Sequence, residues 1–240
     1  MVTWTVEVTT SGHLGVGADA GSARTVEHGR MTTDAPWLTP PPADVGRMVR
    51  LVPLAPDHAE GWFSAAQATG PEAWRWLSRP FPRTLTDARA DIEAALSEQE
   101  RGTRLPLAQL DAVDGTFVGT TSYYAPDADV RSVAIGYTWL AGWFQGRGHN
   151  AESKLQLLHH AFEGLGAEVV VWHTDALNAH SRAAIEKLGA HHDGVLRHHK
   201  RRPDGTVRDT ACFSLLADEW PAARERLEGR VSAALQPGAG

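Results

Sequence analysis

Two strand-like runs of this chain, residues 130–140 and 168–173, are separated by one glycine-bearing turn and one amphipathic helical stretch, and that order limits the fold more than any other feature. In the helical stretch, residues 150–164, Ala151, Leu155, Leu158 and Phe162 recur at spacings of four and three, which places them on one face. The second run is rich in β-branched residues, Glu168-Val-Val-Val-Trp-His173. A strand, a helix and a second strand within about forty residues form a crossover unit, so these two strands are expected to lie parallel.

The rest of the chain implies antiparallel neighbours. Runs at 105–110 and 116–124 flank Asp114-Gly115, and runs at 191–198 and 207–216 flank Pro203-Asp204-Gly205, both hairpin signals. Helical spacing predicts helices over 56–67, 71–77, 86–100, 178–188 and 218–234, the fourth ended by Gly189. The pattern predicts an α/β (α+β) domain over residues 46–235, built on a mostly antiparallel sheet with one parallel crossover. Residues 1–45, with Pro40-Pro41-Pro42, read as a variable leader and linker, and residues 236–240 as a tail. Met31 is an alternative start.

Charge and composition narrow the function classes. With 240 residues, 42% of them hydrophobic, the chain can bury a full core. A net charge of −6 gives no general attraction to nucleic acid or acidic membranes. No apolar run spans a bilayer, no secretion signal opens the chain, and Cys212 is the lone cysteine, so a cytoplasmic protein is expected.

The turn itself, Phe144-Gln145-Gly146-Arg147-Gly148-His149-Asn150, is where ligand chemistry is expected. Gly146 and Gly148 permit a tight backbone, and the helix that follows begins with N–H groups that attract anions such as a cofactor phosphate. Asn178 and Ser181 have the spacing of a helix cap and its third residue. His173 lies late in its strand, and an unperturbed histidine titrates near neutrality. The His pairs at 159–160, 191–192 and 198–199 diverge in space, so no metal is assigned. Cys212 reads as core, Arg197-His198-His199-Lys200-Arg201-Arg202 as a solvated basic loop, and Trp74-Arg75-Trp76 as packing.

Taken together, Ile135-Gly136-Tyr137-Thr138-Trp139-Leu140, the turn 145–150, Thr174-Asp175-Ala176-Leu177-Asn178-Ala179-His180-Ser181, and Lys187-Leu188-Gly189-Ala190 resemble the GNAT acetyltransferase superfamily, and most of all its RimJ/RimL-type branch. Asp204-Gly205-Thr206-Val207-Arg208-Asp209-Thr210 and Trp74-Arg75-Trp76-Leu77 fit the same branch. The resemblance implies acetyl-CoA as co-substrate, held by a splayed parallel strand pair. The family's Q/R-x-x-G-x-G/A turn falls on Gln145, Gly148 and Asn150, with Gly146, Arg147 and His149 between them; Trp139 and Leu140 would line the pantetheine arm. A backbone N–H near Leu140 would polarise the thioester carbonyl. Asn178 would contact the acetyl-pantetheine region, and Ser181 would donate a proton to the leaving thiolate. Trp74 to Trp76 would lie near the acceptor.

Two positions leave the family pattern. Asn150 replaces the usual small residue, where it is expected to act as an N-cap, and Ala134 stands where many members carry the glutamate that serves the base. His173 is the candidate base and Tyr137 a weaker one. The expected activity is acetyl transfer to a primary amine, either a protein N-terminus or a small molecule, without a covalent enzyme intermediate. A catalytically weak acyl-CoA-binding regulator is the alternative. No membrane partner is expected, nucleic acid is disfavoured, and a homodimer is left open.

Overall fold

A computed structural model describes residues 37–43, 46–77, 79–202 and 204–236. The expected leader over residues 1–36, with the alternative start at Met31, and the last four residues of the tail fall outside the described residues. The order is β1 (Val49–Pro53), α1 (Ala59–Thr69), α2 (Leu85–Glu100), β2 (Arg104–Asp111), β3 (Phe117–Asp127), β4 (Ser132–Leu140), α3 (His149–His159), β5 (Val169–Asp175), α4 (Ala179–Glu186), β6 (His191–Arg201), β7 (Val207–Leu216) and α5 (Trp220–Ala234). Among the described residues seven strands form one sheet in the order β1-β2-β3-β4-β5-β7-β6, antiparallel except for the β4–β5 pair. The expected crossover is therefore β4-α3-β5. No helix among the described residues is long and apolar enough to cross a membrane.

Two apolar layers sandwich the sheet. Leu105 and Leu107 of β2, Val133 and Ile135 of β4, and Leu157, Leu158, Ile185, Leu188 and Leu227 of α3, α4 and α5 form the larger one. Ala108 of β2 and Trp139 of β4 instead join Trp62, Trp74, Ala88 and Ile92 beside α1 and α2. Side chains alternate along a strand, so Val133 and Trp139 should share a face. They do not. A bulge opens between the pairs Ser122↔Gly136 and Thr120↔Trp139, with Tyr137 at φ 53°, and the extra residue inverts the alternation beyond it.

Two side chains of α3 fasten β1 to it. Glu152, 4% exposed, accepts the backbone N–H groups of Arg47, Met48 and Val49 at 2.9, 2.6 and 2.7 Å. One turn on, Gln156 Nε2 donates to the Val49 carbonyl at 2.8 Å. Ahead of β1, Trp37 Nε1 donates to the Leu165 carbonyl at 3.0 Å.

Several expectations change in detail. The helix expected over 150–164 begins one residue earlier and ends in a π-helical turn, His160–Gly164. The basic run 197–202 is not a loop: through Arg201 it lies on β6, an edge strand, where charged side chains discourage pairing with another sheet. Cys212 is half-buried on β7, not in the core, and burial holds its thiol above the ordinary range. Among the described residues no group of three or more His, Cys, Asp or Glu is arranged to hold a metal.

Candidate active site

The strands β4 and β5 pair only at Ser132↔Val169, Val133↔Val170 and Ala134↔Val171. Beyond Ala134 they part, because β5 remains bonded to β7 through Asp175 while β4 follows β3. Ala141 donates its N–H to Val118 of β3 at 2.7 Å. Backbone groups alternate sides along a strand, so the Leu140 N–H and carbonyl point the other way, into the gap. Gln145 Nε2 reaches back to the Leu140 carbonyl at 3.1 Å, which ties the turn to the strand end.

The turn completes the gap. After a 3₁₀ turn at Gly142–Phe144, Gly146 (φ 77°) and Gly148 (φ 89°) both take the left-handed conformation. Nothing lies within 4 Å of a Cβ built on Gly146, so the backbone there faces open space. A Cβ on Gly148 would come within 2.5 Å of Ala234 Cβ and 3.1 Å of Met48 Cε, so this glycine is demanded by packing as well as by φ. Gly148 is the N-cap of α3, and no side chain caps the helix. The expected capping role of Asn150 is therefore corrected: Asn150 lies inside the first turn, and its Oδ1 is buried without a partner. The free N–H groups at this end and the open gap suit an anionic ligand with an extended arm.

The remaining residues are divided between the two faces. The Trp139 side chain turns from the gap into an aromatic cluster, 5.4 Å from Trp62 and 4.9 Å from Trp74 between ring centroids. His149 is likewise buried, packed on Phe144 with Nε2 3.4 Å from Asp111 Oδ2, and only its backbone belongs to the helix end. Arg147 is exposed. Across the gap, Asn178 caps α4 by accepting the Ser181 N–H at 3.0 Å, and Ser181 is half-buried beside it.

On the α1–α2 face, Tyr124 of β3 crosses β4 over Gly136, where a Cβ would lie 2.7 Å from its ring, and its hydroxyl meets His173 Nδ1 at 3.0 Å. Burial, reinforced by Lys200, His199 and Arg208, lowers the His173 pKa, while burial raises that of Tyr124. Tyr137 lies edge-on to Tyr124 and beneath the Arg104 guanidinium, 3.6 Å from its ring centroid. Ala134 is 1% exposed at the last paired position. A cavity of about 430 Å³ opens on the same side, walled by Trp74, Trp76, Phe81, Arg75, Arg79 and Leu177. Leu177 adjoins Asn178, and Trp74 packs on Trp139, so the cavity borders both flanks of the gap.

Sequence reasoning missed Tyr124, Glu152 and Lys154. Tyr124 carries no local signal, since its partner is 49 residues away. Lys154 does have one: it lies three residues after Ala151 and four before Leu158, within the apolar stripe of α3.

The family model for the Acetyltransferase (GNAT) domain matches residues 48–191, more than half of the chain. The chain belongs to the GNAT acetyltransferase family. It is 33% identical over 107 residues to a Bacillus subtilis (strain 168) protein named "Putative ribosomal N-acetyltransferase YdaF", a match covering 45% of this chain and 57% of that relative. An acetyltransferase structure from T. thermophilus, itself named as putative, is 40% identical with a TM-score of 0.70, covering 78% of this chain and 95% of that one. Mycobacterium smegmatis RimJ in complex with CoA-disulfide shares the GNAT fold at 24% identity and a TM-score of 0.66, over 80% of this chain and 92% of that one.

Proposed function

We propose that this GNAT protein transfers the acetyl group of acetyl-CoA to a primary amine, by direct attack with both substrates bound. One observation carries the reading: the unpaired edge of β4 beyond Ala134 runs into a glycine turn and the uncapped end of α3. Acetyl-CoA, when bound, supplies an acyl thioester.

The chain's own residues divide the remaining work. Backbone N–H groups from Gly146 to Asn150 would hold the diphosphate, and the free edge at Leu140 would pair with the pantetheine arm. The Leu140 N–H, directed into the gap, is placed to polarise an acyl carbonyl. Ser181, fixed at the start of α4 by the Asn178 cap, would give its proton to the departing sulfur. An amine acceptor must also lose a proton, because a lysine-like amine has a reference pKa of about 10.4 and is charged at neutral pH. Ala134 cannot take it. His173 is the candidate to take it, with Nδ1 3.0 Å from the Tyr124 hydroxyl. The aromatic cavity beside Trp74 would seat the acceptor.

Acetyl-CoA-dependent thiol release with a panel of peptides and small amines tests the proposal and separates the two acceptor classes. Transfer to peptides alone identifies a protein N-terminus, and transfer to small amines alone a small-molecule substrate. Tight acetyl-CoA binding without transfer to any amine would replace the proposal with a regulatory role, for which Ala134 and the internal Asn150 speak.

A further inference from the structure

Lys154 is an anomaly on the buried face of α3, beneath β3 and β4. It lies one turn into α3 with 5% of its surface exposed, and its Nζ donates to Thr121 Oγ1 at 3.0 Å and Thr138 Oγ1 at 2.9 Å. The two hydroxyls are themselves 2.9 Å apart. Among the described residues no carboxylate pairs with the lysine: Glu152 on the same helix is engaged by the backbone of Arg47 to Val49, and Asp111 on β2 by His149. On β3, Tyr123 donates to the Leu157 carbonyl, and on β4 Tyr137 faces the opposite layer beneath Arg104. Burial alone brings the Lys154 pKa down to about 7.

The donor count explains the arrangement. An ammonium brings three N–H groups, a neutral amine only two, and among the described residues two oxygens, those of Thr121 and Thr138, accept from Nζ. Thr138 is the first residue past the Tyr137 bulge, on the stretch of β4 that β5 has left, and its side chain faces α3 only because the bulge inverted the alternation. Anything that holds the Thr138 hydroxyl therefore holds the phase of the strand that presents the Leu140 N–H to the gap.

We infer that Lys154 is a positioning residue for the acyl-CoA slot, acting as an uncharged amine that pins Thr138 and keeps the strand beyond the bulge in register for the ligand. The inference rests on the acyl-CoA reading of the gap. Protonation adds a third N–H and a charge that no acceptor or counter-ion among the described residues meets, so the slot loosens as the pH falls through the lysine's titration.

Calorimetric titration of the full chain with CoA from pH 6 to 9 tests this, with Lys154→Met, Thr138→Val and Thr138→Ser alongside the wild type. Lys154→Met and Thr138→Val should each weaken CoA binding about fivefold at pH 8, the worth of one hydrogen bond. Combined, they should cost little more than either alone, because both remove the same link. Thr138→Ser, which keeps the hydroxyl, should retain wild-type affinity. Wild-type affinity should fall between pH 8 and 6 by more than that of Lys154→Met, a comparison that cancels the titration of CoA's own phosphate. In the free protein, the ¹⁵N resonance of Lys154 Nζ should titrate near pH 7. Unchanged affinity and an unchanged pH profile in both Lys154→Met and Thr138→Val would overturn the inference alone. Absence of CoA binding by the wild type would overturn the acyl-CoA reading and the inference with it.

Discussion

Replacing Glu152 measures how much of this fold hangs on one carboxylate. Its two oxygens accept three backbone N–H groups at the entry to β1, of which those of Met48 and Val49 share Oε2 and are buried. Glu152→Ala leaves all three without an acceptor. Each buried, unpaired N–H costs about 1–3 kcal/mol, and water can reach only the partly buried Arg47 N–H, so two full penalties give a loss of about 2–6 kcal/mol. The negative charge also lies in the first turn of α3, where its removal costs about 0.3–1 kcal/mol more. Glu152→Gln separates these contributions. Its carbonyl oxygen can still serve Met48 and Val49 while its amide opposes the Arg47 N–H, for an expected loss of about 1–3 kcal/mol. Equilibrium urea unfolding of both variants at pH 7.5 gives the values directly. A Glu152→Ala variant within about 1 kcal/mol of wild type, or a Glu152→Gln variant equally destabilised, would refute the account of three desolvated N–H groups resting on one side chain.

Gly148→Ala should lose about 2 kcal/mol or more and weaken CoA binding, since it combines a φ of 89° with a Cβ 2.5 Å from Ala234; Ala234→Gly should restore part of the stability but not the part due to φ. Unfolding and CoA titration of the single and double variants check this. For Lys154, a folded-state pKa of about 7 lies below the model-compound value of 10.5, so between these pH values the unfolded chain binds the extra proton and stability rises with pH. The slope approaches about 1.4 kcal/mol per pH unit and vanishes below the folded-state pKa. Urea unfolding at pH 7, 8 and 9 should show this slope in the wild type and not in Lys154→Met; parallel curves would refute it. Asn178→Ala should cost about 1 kcal/mol as a lost helix cap, whereas Ser181→Ala should leave stability unchanged and lower turnover more than acetyl-CoA affinity. Equal turnover in Ser181→Ala and wild type would leave Ser181 with no role beyond the backbone N–H that Asn178 caps.

The crossover, the two hairpins and the glycine turn were legible in the sequence because each is a local signal: β-branched runs, Asp-Gly turns, and a helical stripe of fixed period. Asn178 could be read as a cap for the same reason, since its partner is three residues away. Asn150 could not, because the start of α3 is decided by Gly148 packing against Met48 and Ala234, residues from opposite ends of the domain's sequence. Lys154 stands in the apolar stripe that predicted the helix, yet its residue type argues for a surface. Only the pair of threonines from two strands, Thr121 and Thr138, makes its burial tolerable.

Local order along the chain was enough to dictate that a strand, a glycine turn, a helix and a second strand form a parallel unit in a mostly antiparallel sheet, and to mark the family as GNAT. Which side chains meet at the gap was settled by tertiary pairing. Trp139 and Thr138 exchange faces because one extra residue at the bulge inverts the strand's period, and no period read along the chain reports a break that is set by pairing with β3. His173 acquires Tyr124 and Lys154 acquires its threonines only through that pairing. Burial, which moves the pKa values of His173 and Lys154 toward forms that can accept a proton, belongs to the packed molecule and not to the order of its residues.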